Sequence, residues 1–423
     1  MRRALVVTIG ETGHVNPLMP VVERLVRDGL EVGWICLGKD PPPALARSSA
    51  ALLPLPRPVP RWDEAPSSQA AGDPGAARDI PYVRRIIEVV PEEVAIVAEV
   101  VERFRPDVLA IDPYLHAAAI AAERARLPYL GVATNLEPVA SASMRPETAL
   151  GGPAGWAWIN AALEGVYGEF GLSVRLNVGN FLSPHGTTVF ATEALVGDPP
   201  PGVFLVGPSI PLASRGRGEE VGFPWDRLDE RPLLYIAFGT QVSYQVERAR
   251  RALRAAGPLG CQIVLASADL ARSPLAAELS ERALLVDYAP QPELLARARA
   301  FVTHGGANSV SEALVAGTPM LVSPVDLDQF FQAHFVPASG AGLTVDLLAA
   351  PEEEVRAALE ALLAEKSPYR ARALEMAEEY RRRDGAGEVA RLLEGLLSLP
   401  GVEKEPFGPG SGALPGWRRG ASQ

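Results

Sequence analysis

Residues 301–319 read FVTHGGANSVSEALVAGTP: an apolar run closed by a threonine, then a histidine, two adjacent glycines and a stretch whose apolar residues recur at helical spacing. A short apolar run followed at once by a helix is the strand-to-helix junction of a parallel α/β sheet. The run ends at Thr303, Gly305 and Gly306 permit a tight turn and close approach of a ligand, and the helix is expected to begin near Asn308. The first N–H groups of such a helix lack intrahelical acceptors and carry partial positive charge, which suits a phosphate, and Asn308 and Ser309 can add side-chain hydrogen bonds. Glu312, one turn further on, can accept two hydrogen bonds from a vicinal diol such as a ribose. The same letters also spell a capping box, with Ser309 as N-cap and Glu312 three residues on, and the residues alone leave both alternatives open. The spacing is neither G-x-G-x-x-G nor a P-loop, since no Gly-Lys-Ser/Thr follows.

Outward from this junction the same unit recurs along the chain, which is the pattern of a parallel sheet covered by helices on both faces. In the first half ALVVTI (4–9) leads to PLMPVVERLVRDG; EVGWICL (31–37) follows, DVLAI (107–111) leads to HAAAIAAERARL and then YLGVAT (129–134), and the half closes near TTVFATEAL and VFLVGP. The second half restarts with LLYIAF (233–238) and continues through CQIVLAS, ALLVDY, ARAFVT and PMLVSP. Between them PSIPLASRGRGEEVGFPWDRLDERP (208–232) is rich in Pro, Gly and charge without periodicity and reads as a linker. The expected organisation is a first domain over 1–207, a linker over 208–232, a second domain over 233–398 and an unstructured tail over 399–423 that carries no hydrophobic face. The Pro-, Ser- and Gly-rich stretch 54–81 reads as a loop.

Composition limits the ligand. The 423 residues can build two buried cores. A net charge of −11 argues against a nucleic-acid partner and leaves a small molecule as the default. Only Cys36 and Cys261 occur, each inside an apolar run, so neither a disulfide framework nor a cysteine metal site is expected, and a reducing cytoplasm fits. The opening residues carry Glu11 and Asn16 straight after a short apolar run and no stretch reaches membrane length, so neither export nor integral membrane association is expected.

The forty or so residues YAPQPELLARARAFVTHGGANSVSEALVAGTPMLVSPVDLDQ (288–329) resemble the donor-binding signature of the nucleotide-sugar-dependent glycosyltransferases of the family containing the UDP-glycosyltransferases and bacterial macrolide glycosyltransferases. The resemblance implies that Gln291 and its neighbours meet the base, that His304, Asn308 and Ser309 hold the diphosphate, that Glu312 holds the ribose, and that Asp328 and Gln329 hold the sugar hydroxyls. Tyr288 stands where plant members usually have Trp and can stack a base. Gly239 and Thr240 after LLYIAF resemble the family's other phosphate-facing loop. Asp326-Leu327-Asp328 spells D-x-D, but it falls where the family has its Asp-Gln pair, so sugar recognition is expected there and no metal.

In the first half His14 sits in the first strand-to-helix loop, GETGHVNP, at the carboxyl edge where open α/β sheets bind ligands. A nearby helix N-terminus is expected to keep its ring neutral, as a general base requires. Asp112 ends the strand DVLAI at the same edge, so the two can form a base with an orienting carboxylate. Both match the family's catalytic motifs, whereas His116, one turn on, has no family role and is expected to be structural. The region 138–185, read as mostly helical and apolar, resembles the family's acceptor wall, with Trp156, Trp158 and Tyr167 as candidate lining residues.

The expected protein is therefore α/β, two facing Rossmann-like domains of the glycosyltransferase B type with a cleft between them and the last helix, GAGEVARLLEGLLSL, crossing back to the first domain. The expected reaction is metal-free, inverting transfer of a hexose from a UDP- or dTDP-sugar co-substrate to a hydroxyl of a small apolar aglycone such as a macrolide, polyketide, carotenoid or phenolic. The alternatives are a nucleotide-sugar epimerase of the same architecture, which needs no aglycone pocket, and a non-catalytic binding protein that retains the fold.

Overall fold

The computed structural model describes residues 1–62, 76–144, 152–210, 222–239, 245–325 and 328–398. In its first half the strands are β1 (Arg3–Ile9), β2 (Glu31–Leu37), β3 (Ala51–Leu52), β4 (Val108–Ile111), β5 (Tyr129–Ala133), the two-residue strands β6 (Leu176–Asn177) and β7 (Asn180–Phe181), β8 (Thr187–Val189) and β9 (Val203–Leu205). In the second half they are β10 (Leu233–Ala237), β11 (Gln262–Ala266), β12 (Leu284–Val286), β13 (Ala300–Thr303), β14 (Met320–Val322) and β15 (Gly342–Thr344). The first sheet runs β3-β2-β1-β4-β5-β8-β9 and the second β12-β11-β10-β13-β14-β15, parallel throughout. Runs such as LVVTI and VGWICL are buried along their whole length because helices cover both faces, which is why they read as continuous rather than alternating apolar segments.

One hydrophobic cluster runs from Val189 and Leu205 of the first sheet to Tyr235 and Phe301 of the second, while the others each lie on a single sheet. Helix Leu18–Arg27 buries Leu18, Val21, Val22 and Leu25 against β1 and β2. The same cluster contains Val389, Leu392, Leu393 and Leu396 of the last helix, Gly385–Leu397, so the chain does return to the first domain. The return is fastened beside the outgoing linker: Gly385 N donates to Pro208 O at 3.0 Å, and the Arg383 guanidinium reaches Leu205 O at 3.2 Å. A Cβ on Gly385 would lie 2.4 Å from Gly207 O, so only glycine lets the two crossings run side by side.

Two segments differ from the expectation. Within the stretch read as a loop over 54–81, residues 63–75 lie outside the described residues, but a 29-residue helix, Ala76–Phe104, begins inside it. Pro81 and Pro91 fall within that helix, and the apolar face built by Val90, Val94, Val97 and Val101, at i, i+4, i+7 and i+11, holds it on the sheet. Among the described residues of 138–185, which exclude 145–151, helix is only part of the structure: after helix Gly152–Glu169 comes the antiparallel β6–β7 hairpin, whose turn residues Val178 and Gly179 both have positive φ, 50° and 86°. The tail from 399 and residues 211–221 of the linker lie outside the described residues.

Candidate active site

Both sheets order their first five strands 3-2-1-4-5, and in such a sheet the crevice lies beyond the carboxyl ends of the two strands where the order reverses. In the first sheet these are β1 and β4, followed directly by the loop of His14 and by Asp112; in the second they are β10 and β13, followed by Gly239 and His304. Four candidate residues far apart in sequence thus occupy equivalent places in two sheets.

His14 sits in a four-residue helix, Thr12–Val15, and its Nδ1 donates to Asp112 Oδ2 at 2.6 Å. Asp112 is buried, and its second oxygen accepts the Tyr114 N–H at 3.1 Å, which fixes the carboxylate in place. Thr134 Oγ1 lies 3.0 Å from the same Nδ1. With Nδ1 engaged, Nε2 is the atom left to accept a proton. The ring is not kept neutral as the sequence suggested. Burial alone would lower its pKa, but the charge and hydrogen bond of Asp112, with Glu11 and Asp328 adding to them, outweigh burial and raise it to about 9. The helix expected after Pro17 forms, Leu18–Arg27, but its N-terminus does not outweigh a carboxylate in contact with the ring.

In the second domain the helix after β13 is Ala307–Ala316 with Gly306 as N-cap, so it starts one residue earlier than expected and Ser309 is its third residue. The capping-box alternative fails for that reason. Instead Gln291 Nε2 donates to Glu312 Oε2 at 2.7 Å and to Ser309 Oγ at 3.2 Å, while Gln291 Oε1 accepts from the Tyr235 hydroxyl at 3.1 Å. Gln291, Ser309 and Glu312 therefore form one cluster on the face of the helix above its first free N–H groups. The His304 ring is confined by glycines: a Cβ would lie 2.9 Å from its Nε2 at Gly239 and 2.7 Å at Gly306. Burial lowers the His304 pKa to about 4, so the ring is neutral and offers a hydrogen bond rather than a positive charge. Gly305, at φ +89°, turns the chain between them. Asn308 Nδ2 donates across the cleft to Gly13 O at 3.1 Å, one residue from His14. Asp328, the N-cap of helix Gln329–Ala338, accepts from Gln332 Nε2 at 3.0 Å, and its charge reaches His14 from the opposite domain. Gln329 Oε1 accepts the Val325 N–H at 2.9 Å, and Tyr288 is exposed. Thr240 and Asp326 lie outside the described residues.

The three aromatic residues named for the acceptor wall are not brought together. Tyr167 is buried in the first-domain core, with its hydroxyl 3.3 Å from His116 Nδ1. Trp156 is buried in a different cluster, against Ile159 and Val178, and Trp158 faces outward beneath the Arg84 guanidinium. On an α-helix, residues two apart point to different faces, so Trp156 and Trp158 cannot line one pocket. His116 is structural: it is buried, its Nε2 bonds Gly179 O at 3.0 Å and ties the β6–β7 turn to the start of helix His116–Arg124, and burial lowers its pKa to about 4.

Sequence reasoning missed Tyr114, Thr134 and Glu137. The Tyr114 ring meets His14 edge-on at 6.2 Å between centroids, and burial, then the charges of Glu137 and Asp328, hold its pKa well above the usual value. Glu137 is itself buried and accepts from Asn180 Nδ2 at 2.6 Å. Position was the available signal: Thr134 closes the strand next to β4 at the same carboxyl edge as Asp112. Among the described residues no group of three or more His, Cys, Asp or Glu side chains is placed to hold a metal ion, and no helix is long and apolar enough to cross a membrane.

The arrangement pairs the His14 imidazole and the Asp112 carboxylate on one sheet with an anion-suited helix N-terminus on the other, across a cleft. The UDP-glucoronosyl and UDP-glucosyl transferase family matches residues 227–382. The chain is 30% identical to 4'-demethylrebeccamycin synthase of Lentzea aerocolonigenes, over 93% of its own length and 99% of that protein's. It is 26% identical to oleandomycin glycosyltransferase of Streptomyces antibioticus, over 95% and 92%. A solved structure of the glycosyltransferase SsfS6 of Streptomyces sp. SF2575, complexed with thymidine diphosphate, superposes with a TM-score of 0.66 at 21% identity over 93% of this chain and 99% of that one. Two parallel-sheet domains, a shared cleft and full-length similarity to 4'-demethylrebeccamycin synthase together establish that the chain belongs to the UDP-glucoronosyl and UDP-glucosyl transferase family and is a glycosyltransferase of the B fold type.

Proposed function

We propose that the enzyme moves a hexose from a UDP- or dTDP-sugar to a hydroxyl of a small, largely apolar aglycone, with inversion at the anomeric carbon. The observation that carries this is the contact of His14 with Asp112 opposite the Gln291, Ser309 and Glu312 cluster. His14 Nε2 takes the proton of the acceptor hydroxyl, whose oxygen forms the new bond to the anomeric carbon as the bond from that carbon to the diphosphate breaks. Asp112 stabilises the imidazolium, and the leaving charge is met by the free N–H groups of helix Ala307–Ala316 and by the neutral His304 ring. Fixed donors of this kind are worth about 3 kcal/mol each in transition-state stabilisation. Glu312 bonds the ribose diol, Asp328 and Gln329 bond the sugar hydroxyls, and Tyr288 stacks on the base. No metal is needed to balance the charges in this scheme. The thymidine diphosphate of the SsfS6 structure and the antibiotic names of the two relatives favour a dTDP- or UDP-sugar and a natural-product acceptor. A panel of UDP- and dTDP-sugars against macrolide, polyketide, carotenoid and phenolic acceptors, read by mass spectrometry and by the anomeric coupling constant of the product, tests it. Retention at the anomeric carbon would exclude the single-displacement route. Interconversion of nucleotide sugars without an acceptor would favour an epimerase, and inertness towards every donor a binding protein.

A further inference from the structure

Behind the dyad a small cavity of ≈ 30 Å³ lies between the two domains, lined by Thr134 and Asn135 from the first and by Asn308, Ser311 and Gln332 from the second. Three of these residues carry buried polar atoms with no hydrogen-bond partner in the protein: Asn135 Nδ2, Ser311 Oγ and Gln332 Oε1. Asn135 is 4% exposed and Gln332 is 0% exposed. Buried polar groups are rarely left unpaired, and a cavity of this size with three such atoms on its wall, at about 10–15 Å³ per molecule, takes roughly two ordered waters beside them. The chemistry of the walls is complementary, with an amide donor on the first domain, an amide acceptor on the second and a hydroxyl of either character.

The far end of each amide is already committed. Asn135 Oδ1 accepts the N–H of Glu137 at 2.8 Å, which leaves Nδ2 to face the cavity. Gln332 Nε2 donates to Asp328 Oδ2 at 3.0 Å, which leaves Oε1. Thr134, adjacent to Asn135, bonds the catalytic ring at 3.0 Å. We infer that the cavity is a water site coupling the two halves of the active site: water accepting from Asn135 Nδ2 and donating to Gln332 Oε1 holds the Gln332 amide in the one orientation that presents its N–H to Asp328. Gln332 is thus a positioning residue for the sugar-binding carboxylate, and its orientation is set across the domain junction. The inference rests on the assignment of Asp328 to the sugar hydroxyls.

The test is a double-mutant cycle on the full-length protein with Gln332→Met, Asn135→Ala and the pair. Donor KM is measured with the better turned over of UDP-glucose and dTDP-glucose, affinity for the matching free nucleoside diphosphate by calorimetry, and folding by thermal melts. Each single variant raises donor KM about tenfold and leaves nucleoside diphosphate affinity unchanged, because only the sugar is affected, and the double variant is no worse than the worse single because one route has been cut twice. Gln332→Glu, which keeps the shape and the cavity-facing oxygen but loses the donor to Asp328, raises donor KM as well. Multiplicative effects in the double variant, or a wild-type KM in either Gln332 variant, overturn the coupling. Asp328→Asn separates the two levels. An unchanged donor KM in that variant removes the sugar assignment itself, whereas a raised KM beside multiplicative Asn135 and Gln332 effects removes the coupling alone.

Discussion

Nδ1 of His14 and Oδ2 of Asp112 lie 2.6 Å apart although 98 residues separate them in the chain. In the proposed mechanism this contact sets both which nitrogen accepts the proton and when it is free to do so. A general base must be unprotonated, and with a pKa of about 9 the ring is unprotonated in about one molecule in a hundred at pH 7. The expected pH profile of kcat/KM therefore rises through neutrality and levels off above about 9. A limb near 6.5 in the wild type would mean that Asp112 does not act on the ring. His14→Ala should lose a factor of about 100 to 10,000 in turnover and keep nucleoside diphosphate affinity. Undiminished turnover in that variant would remove the assignment.

Asp112→Asn removes the principal influence that raises the His14 pKa, while Glu11 and Asp328 remain. The rising limb should move to lower pH and the plateau should fall, by less than in His14→Ala. An unmoved limb in this variant would assign the titration to another group.

Most of the fold was legible because a parallel sheet covered on both faces writes each strand as an unbroken apolar word. EVGWICL, for example, is β2 from first residue to last. His14 and Asp112 were legible from their places at strand ends. Tyr114 and Glu137 were not, because their roles depend on a buried hydrogen-bond network that no spacing rule encodes. Helix Ala76–Phe104 was obscured at its start by Pro-, Gly- and Ser-rich surroundings, and its valine stripe becomes decisive only with a sheet to pack on. The direction of the His14 shift is not legible because the helix N-terminus at Pro17 can be read from sequence, whereas the 2.6 Å carboxylate contact that outweighs it cannot.

Glu312→Ala should weaken binding of free nucleoside diphosphate by about 1–3 kcal/mol, with little change in melting temperature. Its carboxylate bonds the Gln291 side chain rather than a helix-end N–H, so its loss leaves the helix start intact. Calorimetric titration beside thermal melts decides the matter. Unchanged affinity would place the ribose elsewhere.

Glu93 supplies a stability prediction that activity does not touch. It is buried, accepts the Trp62 indole N–H at 3.0 Å, and burial raises its pKa to about 8 from 4.5. A carboxyl whose folded pKa is raised costs nothing below the unfolded value. Its penalty then grows as pH climbs from 4.5 towards 8, because the unfolded chain ionises first. Glu93→Gln keeps the acceptor for Trp62 and removes the penalty, so it should melt above the wild type at pH 8 and close to it at pH 4.5. Identical pH dependence in the two proteins would show that the carboxyl is not held protonated.

EDTA should leave the rate unchanged, since helix N–H groups and a neutral imidazole can meet the diphosphate. A strict requirement for Mg²⁺ or Mn²⁺ would return attention to Asp326 and Asp328.

The side-by-side crossing of Pro208 and Gly385 makes the polypeptide pass between the domains at one seam. A two-ply strap of this sort resists parting, because separating the plies breaks the Gly385–Pro208 hydrogen bond and uncovers both backbones. A bulkier side chain at Gly385 would pry the plies apart at Gly207 while lying far along the chain from every residue named for ligand binding.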